Sequence, residues 1–325
     1  MHTATAEALS NIAFIKYWGN RDQTLRLPSN ASLSMNLAGL KTVTTVAFDP
    51  SLPGPDALTL NGHPTTGAAL ARVTRHLDLV RAAAGLSARA VVTSHNTFPS
   101  GAGIASSASG FAALTVAAAR AAGLALNEVD LSVLARRGSG SASRSIPAGF
   151  TEWLAGEQPS GEDSYARTIA PPEHWALTDV IAVLSAAHKA TGSTEGHGLA
   201  DTSPFQAARV ADAPRRLSLC RTALLARDFS AFSEIVEEDA VAMHAVMMTS
   251  RPPLFYWQPL TIAVIQAVPV WRAEGLPVCF TIDAGPNVHC LTPTEHAPEV
   301  ERRLRALGVP DVLAAAPGGP ARIIA

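Results

Sequence analysis

The sequence predicts an α+β protein of two lobes with a cleft between them. Three observations point there. The first half reads as strands with few helices, and from Ser203 to Met248 the pattern changes to a succession of helices that strands then close. The third is the stretch Pro99 to Gly110, PSGAGIASSASG, which lies between an apparent strand and the alanine-rich run Phe111 to Ala122. Its glycines let backbone N–H groups approach an anion, its serines add donors, and the following helix supplies partial positive charge. No Lys or Arg lies within it, which excludes a Walker-type loop. Taken alone, a phosphate-wrapping loop and a small-residue packing turn fit it equally well.

The elements follow in order. Thr3 to Ile15 alternates small and apolar residues and reads as a strand. Further strands are expected at Leu25 to Pro28, Ser32 to Leu37, Thr42 to Phe48 and Leu58 to Leu60, with Asn61-Gly62 as a hairpin signal. Apolar spacing predicts a helix over Ala68 to Ala84, a strand over Ala88 to Ser94 and a helix over 106–122. Leu131 to Arg137 reads as a helix stopped by Gly138, and Phe150 to Ala155 and Asp179 to Ser185 as strands. In the helical region Pro214 punctuates the run and Asp228 is an N-cap. Thr261 to Glu274 is a helix that Pro269 should kink or shorten. Strands over Pro277 to Ile282 and Asn287 to Leu291 and a helix over Ala297 to Leu307 complete the chain. The expected division is an N-terminal lobe of residues 1–187 and a helix-rich C-terminal lobe of 188–325.

Composition narrows the function classes. The 325 residues suffice for a sizeable core, and 47% hydrophobic with 16% charged residues is a compact globular balance. A net charge of -2 argues against nucleic-acid binding but leaves room for a small anion held by local cations. Cys220, Cys279 and Cys290 cannot all pair and match no zinc spacing, which suits free thiols in a reducing compartment. No signal peptide and no membrane-length apolar run is read, so the expected setting is cytoplasmic, without a membrane partner.

Three constellations carry chemistry. In NIAFIKYWGNRD, residues 11–22, Lys16 ends an apolar strand beside Tyr17-Trp18, where a cation could hold an anion; a solvated strand end is the plainer alternative. In ARRGSGSASRS, residues 135–145, alternating Gly and Ser expose donors and Arg144 offers a fork for carboxylate or phosphate. A plain linker would rarely carry Arg136, Arg137 and Arg144 together, so a binding role is favoured. In CFTIDAGPNVHCL, residues 279–291, Asp283 enters a Gly-Pro turn, which suits either catalysis or local hydrogen bonding.

Taken in order, NIAFIKYWGNRD, PSGAGIASSASGFAAL, RRGSGSASRS and TIDAGPN resemble the mevalonate diphosphate decarboxylases of the GHMP kinase superfamily, from about residue 3 to 291. DTSPF at 201–205 and AMHA at 242–245 add weaker support. The resemblance implies a two-lobed GHMP kinase fold: an N-terminal lobe of ribosomal-protein type, a ferredoxin-like, helix-rich C-terminal lobe, and the active site between them. It also implies an enzyme that uses ATP and Mg²⁺ to phosphorylate a tertiary C3 hydroxyl and then releases CO₂ and phosphate, acting as a homodimer. By resemblance, Asp283 would orient or deprotonate that hydroxyl, Lys16 would balance charge beside it, and Arg144 would hold the substrate carboxylate. Tyr17, Trp18, Gly19 and Asn20, with Ser139, Gly140 and Ser141, would line the 5-phosphate end. Ser94, Asn96, Gly101, Gly103, Ala105, Ser106 and Ser107 would line the nucleotide site, with Ser106 as the metal contact.

Two departures bear on the substrate. Diphosphate-using members normally read KYWGK, and this chain has Asn20 at the last position. They also carry an arginine where this chain has ATGSTEGHG at 190–198, with Ser193 near the arginine's place. Each lost charge-assisted hydrogen bond is worth roughly 1.5–3 kcal/mol, so two would weaken diphosphate binding by about two to four orders of magnitude. The expectation is therefore the phosphomevalonate decarboxylase branch, which converts mevalonate 5-phosphate to isopentenyl phosphate. His188, Lys189 or His197 could supply the missing cation, which keeps the diphosphate enzyme as the alternative. A mevalonate 3-kinase and a non-catalytic ligand-binding homologue are further alternatives, and intact Lys16, Arg144 and Asp283 count against both.

Overall fold

The computed structural model describes residues 2–51, 53–98, 106–185 and 192–325. The N-terminal part contains β1 (His2–Ile15), β2 (Asn20–Asp22), β3 (Leu27–Pro28), β4 (Ser32–Asp49), β5 (Ala57–Leu60), β6 (His63–Pro64) and α1 (Gly67–Ala84). It continues through β7 (Arg89–Asn96), α2 (Ser106–Ala121), α3 (Glu128–Gly138), a 3₁₀ turn at Gly140–Ser145, β8 (Phe150–Trp153) and β9 (Ala166–Ala170). Then come β10 (Leu177–Val183), α4 (Ser193–Leu199), α5 (Gln206–Ala226), α6 (Phe229–Thr249) and α7 (Pro259–Ala273). The chain closes with β11 (Cys279–Thr281), β12 (Val288–Pro293), α8 (Ala297–Ala306), β13 (Asp311–Ala315) and β14 (Arg322–Ile323).

One sheet runs β14-β1-β4-β7-β5-β6, with β8 on β4 and β9 on β8; a second runs β11-β12-β10-β13. The strands expected separately at 32–37 and 42–48 are one, β4, because the ladder with β1 resumes across a bulge between the Leu9↔Lys41 and Asn11↔Asn36 pairs. Gly39 sits in that bulge at φ +84°, a conformation L side chains resist. The Asn61-Gly62 signal forms a hairpin turn, both residues having positive φ.

Three cores hold the layers. The alanines of α2 let that helix lie close on the first sheet, against Val46, Phe48 and Val92, with Leu77 and Val80 of α1 beside it. A second core joins both halves: Ile12, Phe14 and Met35 of the first sheet meet Phe232 and Val236 of α6 and Leu177, Ile181 and Leu291 of the second sheet. The third packs α7 and α8 on the other face of the second sheet, through Val264, Val268, Val300 and Leu304. Cys220, Cys279 and Cys290 are buried and unbridged.

Several expectations are revised. Pro214 lies inside α5, and Pro269 has four further residues of α7 beyond it. In α5 the buried flanks Ala213, Arg216 and Leu217 hold the helix together across the missing N–H, and Arg216 Nη2 reinforces it with a 2.9 Å bond to the Arg209 carbonyl. The strands β9, β13 and β14 were too short or too mixed in polarity for a period-2 signal. β10 lies between β12 and β13 in the second sheet. Among the described residues no helix is long and apolar enough to cross a membrane.

Candidate active site

The site forms where the end of β1 meets the turn after β11. Lys16 Nζ lies 2.6 Å from Asp283 Oδ1, and the ammonium is almost fully buried, at 2% exposure, while the carboxylate is 26% exposed. The ammonium is therefore fixed and the carboxylate faces the opening. Burial lowers the pKa of Lys16, against the pull of Asp283. Burial of Asp283 opposes its ionisation, but Lys16, with His289 and Arg144 adding to it, holds the carboxyl below its usual range.

The Lys16 backbone is fastened from both sides. Its N–H donates to Asp239 Oδ2 at 2.6 Å, and its carbonyl accepts from Arg209 Nη2 at 2.8 Å and Asn30 Nδ2 at 3.0 Å. Asp239 in turn accepts from Arg216 Nε at 2.7 Å. Two residues away on α6, Glu237 accepts from the Phe280 N–H at 3.2 Å and from Arg272 at 2.8 Å. Side chains two apart on a helix diverge by about 200°, so α6 grips the Lys16 strand with one face and the Asp283 strand with the other.

Arg144, 4% exposed, is aimed by the 3₁₀ turn at neutral groups. It donates to Asn11 Oδ1 at 3.2 and 3.1 Å and to Ser32 Oγ at 2.7 Å. Burial lowers its pKa to about 10, so it stays charged, with no carboxylate bonded to it among the described residues. The neighbouring arginines diverge. Arg136 is buried and donates to the carbonyls of Leu25, Gly161 and Ser164, a structural role, while Arg137 turns toward α1.

Tyr17 forms the wall opposite. A Cβ on Gly140 would lie 2.5 Å from Tyr17 Cε1, so only glycine permits this approach. The Tyr17 hydroxyl donates to Asn20 Oδ1, and Asn20 Nδ2 donates to Gln23 Oε1 at 2.9 Å. Burial raises the phenol to about 12. His197 of α4 stacks on Tyr17 at 4.0 Å and accepts the Gly19 N–H at Nδ1, 3.0 Å away. Burial, with Arg26, Arg209 and Arg144 adding to it, lowers His197 to about 3. His197 is therefore neutral and supplies no cation here; His188 and Lys189 lie outside the described residues. Two expected substrate contacts are otherwise engaged. Gly19 spends its N–H on His197, and Trp18 is buried against Ala200, Met243, Met247 and Leu254. The Trp18 ring also packs against His197, with centroids 4.6 Å apart.

Ser94, Asn96, Ser106 and Ser107 line one cavity of about 320 Å³, with Leu58, Val92 and Phe111 as its apolar walls. Ser107 Oγ lies 3.3 Å from Ser139 Oγ, which joins this cavity to the turn that carries Ser139, Gly140, Ser141 and Arg144. Gly101, Gly103 and Ala105 lie outside the described residues, as does the Ser193 side chain. Serine hydroxyls in the first turn of α2 and the ionised Asp283 are hard oxygen donors of the kind Mg²⁺ accepts. No group of three or more His, Cys, Asp or Glu that could hold a metal occurs among the described residues.

Comparison with known proteins decides the family. Residues 8–166 match the Diphosphomevalonate decarboxylase-like N-terminal domain, and residues 179–312 match the Mevalonate 5-diphosphate decarboxylase C-terminal domain. The chain belongs to the mevalonate diphosphate decarboxylase family. The Diphosphomevalonate decarboxylase of Ganoderma lucidum is 40% identical over 323 residues, 92% of this chain and 80% of the relative. That of Homo sapiens is 40% identical over 310 residues, 89% and 76%. The structure of the Staphylococcus aureus decarboxylase superposes with a TM-score of 0.92 at 35% identity, covering 100% of this chain and 98% of that one. A solved complex described as MDDEF with MVAPP, AMPPCP and magnesium gives 0.93 at 36%, over 99% and 98%. The GHMP kinase expectation for the fold thus holds. The phosphomevalonate branch expected from Asn20 and Ser193 finds no support here, because these relatives are named for the diphosphate.

The sequence reading missed Asp239, Asn11 and Ser32. Asp239 carried a usable signal: it occupies a buried position among Ile235, Val236, Ala240 and Met243, where an unpaired acid would be costly.

Proposed function

We propose that this chain is an ATP-dependent decarboxylase of 5-phosphorylated mevalonate, with mevalonate 5-diphosphate as substrate and isopentenyl diphosphate, ADP, phosphate and CO₂ as products. The observation that carries this reading is the Lys16–Asp283 ion pair beside Arg144, a guanidinium whose bonded partners are neutral. The names of the relatives favour the diphosphate.

Asp283 orients the C3 hydroxyl and takes its proton late, since a tertiary alcohol is too weak an acid for prior deprotonation. The hydroxyl oxygen attacks the terminal phosphorus of ATP, and ADP leaves. Lys16 keeps Asp283 ionised and neutralises developing charge. Arg144 holds the substrate carboxylate by its fork. The C3–O bond then breaks with loss of phosphate, and the electrons of the C1–C2 bond form the C2–C3 double bond as CO₂ departs. The nucleotide takes the serine-lined cavity, and Mg²⁺ held with Ser106 would neutralise its phosphates. A homodimer is part of the same reading.

One observation favours a second reading, mevalonate 5-phosphate. Position 20 carries an amide already bonded to Tyr17 and Gln23, and neutral His197 adds no charge. Incubating the protein with ATP-Mg and, in turn, mevalonate, its 5-phosphate and its 5-diphosphate, while following CO₂ and ADP, separates the readings. Higher kcat/KM on the diphosphate supports the first, and on the monophosphate the second. ADP without CO₂ would instead identify a kinase, and neither product a non-catalytic binder.

A further inference from the structure

The second sheet holds a buried acid–base pair that the proposed chemistry does not use. His289 of β12 is 1% exposed and Asp179 of β10 is fully buried, and His289 Nδ1 lies 2.7 Å from Asp179 Oδ2. A carboxylate oxygen only accepts, so Nδ1 carries the proton of this bond. Asp179 stands in a strand buried at every position, between Leu177 and Ile181 of the core that joins both halves. A carboxylate there is costly unless a partner meets its charge, and His289 is the one group bonded to its side chain among the described residues. Asp179 Oδ1 and His289 Nε2 are both buried without a partner among those residues.

The register of the sheet aims the pair. Val288 and Cys290 pack beneath α7 and α8, so alternation along β12 turns His289 to the opposite face, where Leu291 meets the residues of β1 and α6. Across the ladder His289 pairs with Thr281, whose hydroxyl donates to the Ala13 carbonyl at 3.3 Å. Ala13 lies three residues before Lys16, and Asp283 follows Thr281 by two. The imidazole therefore occupies the face of the sheet on which the Lys16–Asp283 pair forms.

The charged and titratable groups around Asp283 come from four elements: Lys16 from β1, Arg144 from the 3₁₀ turn, His244 from α6 and His289 from β12. His244 is held neutral by burial, and Asp179 of β10 faces His289. A charge on His289 acts on Asp283 next after that of Lys16 and ahead of that of Arg144. We propose that His289, oriented by Asp179, is a positioning residue for Asp283: its imidazolium is a second cation that steadies the carboxylate beside Lys16. The inference rests on the role proposed for Asp283 above.

Two substitutions and one spectrum test it in the full-length protein. His289→Asn keeps a donor for Asp179 but removes the charge, and His289→Lys returns a charge. With ATP-Mg and whichever phosphorylated mevalonate turns over faster, H289N should lower kcat about 10-fold with KM for ATP unchanged, and H289K should recover most of that loss. An unchanged kcat in H289N, or a loss that Lys does not restore in a protein of native thermal midpoint, overturns the proposal. The nitrogen-15 spectrum of the imidazoles needs neither variant to fold. At pH 7 both His289 nitrogens should carry protons in the wild type, and Asp283→Asn should reduce the protonated fraction. An Nε2 without a proton in the wild type, or the same fraction in D283N, overturns it equally. If the native protein turns over neither substrate, the proposed function fails, and the imidazole signals still decide whether His289 and Asp283 act on one another.

Discussion

The two ends of the site follow opposite electrostatic plans. Around Lys16 and Asp283, charges are paired and bolted down: ammonium against carboxylate, Asp239 under the backbone, Arg216 under Asp239. At the Tyr17 end, a phenol, an amide and a neutral imidazole satisfy one another without a formal charge. On the proposed reading the chemistry uses a paired ammonium and carboxylate, whereas recognition of the 5-phosphate would fall to neutral donors and to cations further off. Reaction type and substrate choice become separable, and variants at one end should leave the other largely intact.

The strongest way to break that contrast is at the charged end. Asp283→Asn should lower CO₂ release by at least about 10³-fold while ADP binding, followed by calorimetry, is unchanged. A variant within tenfold of the native rate would remove the carboxylate from the mechanism. Arg144→Gln is expected to cost about 10²-fold in kcat/KM with nucleotide affinity intact, because the fork that holds a carboxylate is lost. At the neutral end, Asn20→Lys should shift the kcat/KM ratio toward the diphosphate by roughly 10-fold or more. An unchanged ratio would show that this position does not sense the distal phosphate.

Smaller effects sharpen the same contrast. Gly140→Ala forces Tyr17 aside and should lower stability by about 1–3 kcal/mol, read as a lower thermal midpoint, with a raised KM. His76, His197 and His244 are each held near 3 by burial, against about 6.5 when unfolded. A depressed histidine leaves the unfolded chain binding more protons, so stability is full above pH 6.5 and falls as pH drops from there toward 3. Each contributes up to about 1.4 kcal/mol per pH unit in that window. Replacing one buried histidine with Asn should shallow the slope of thermal midpoint against pH, and an unchanged slope would mean that residue does not stay neutral.

Legibility in the sequence followed the same divide. Lys16, Arg144 and Asp283 stand in compact motifs, and the structure brings Lys16 and Asp283 together; the helix and hairpin signals at 67–84 and 61–62 are local in origin. Local periodicity saw only halves of β4, because its continuity depends on pairing with β1 across a bulge. The state of His197 was equally hidden, since stacking on Tyr17 and the Gly19 N–H join residues far apart in the chain. Arg26, Arg72, Arg75 and Arg137, which line one cavity, come from three separate segments, and only the packing of α1 beside α3 gathers them. Asn20 bonds Tyr17 and Gln23, and an uncharged residue at one position says little about charge delivered from elsewhere.

The grip of α6 on both strands bears on how the molecule comes apart. Asp239 ties the helix to the segment bearing Lys16 and Glu237 ties it to the strand before Asp283, within a hydrophobic core common to both sheets. Neither half can melt without stripping the other of its packing, so denaturation should run as one cooperative transition in calorimetry despite two separate sheets. The catalytic pair is then lost only when everything is lost, and residual activity becomes a direct count of molecules still folded.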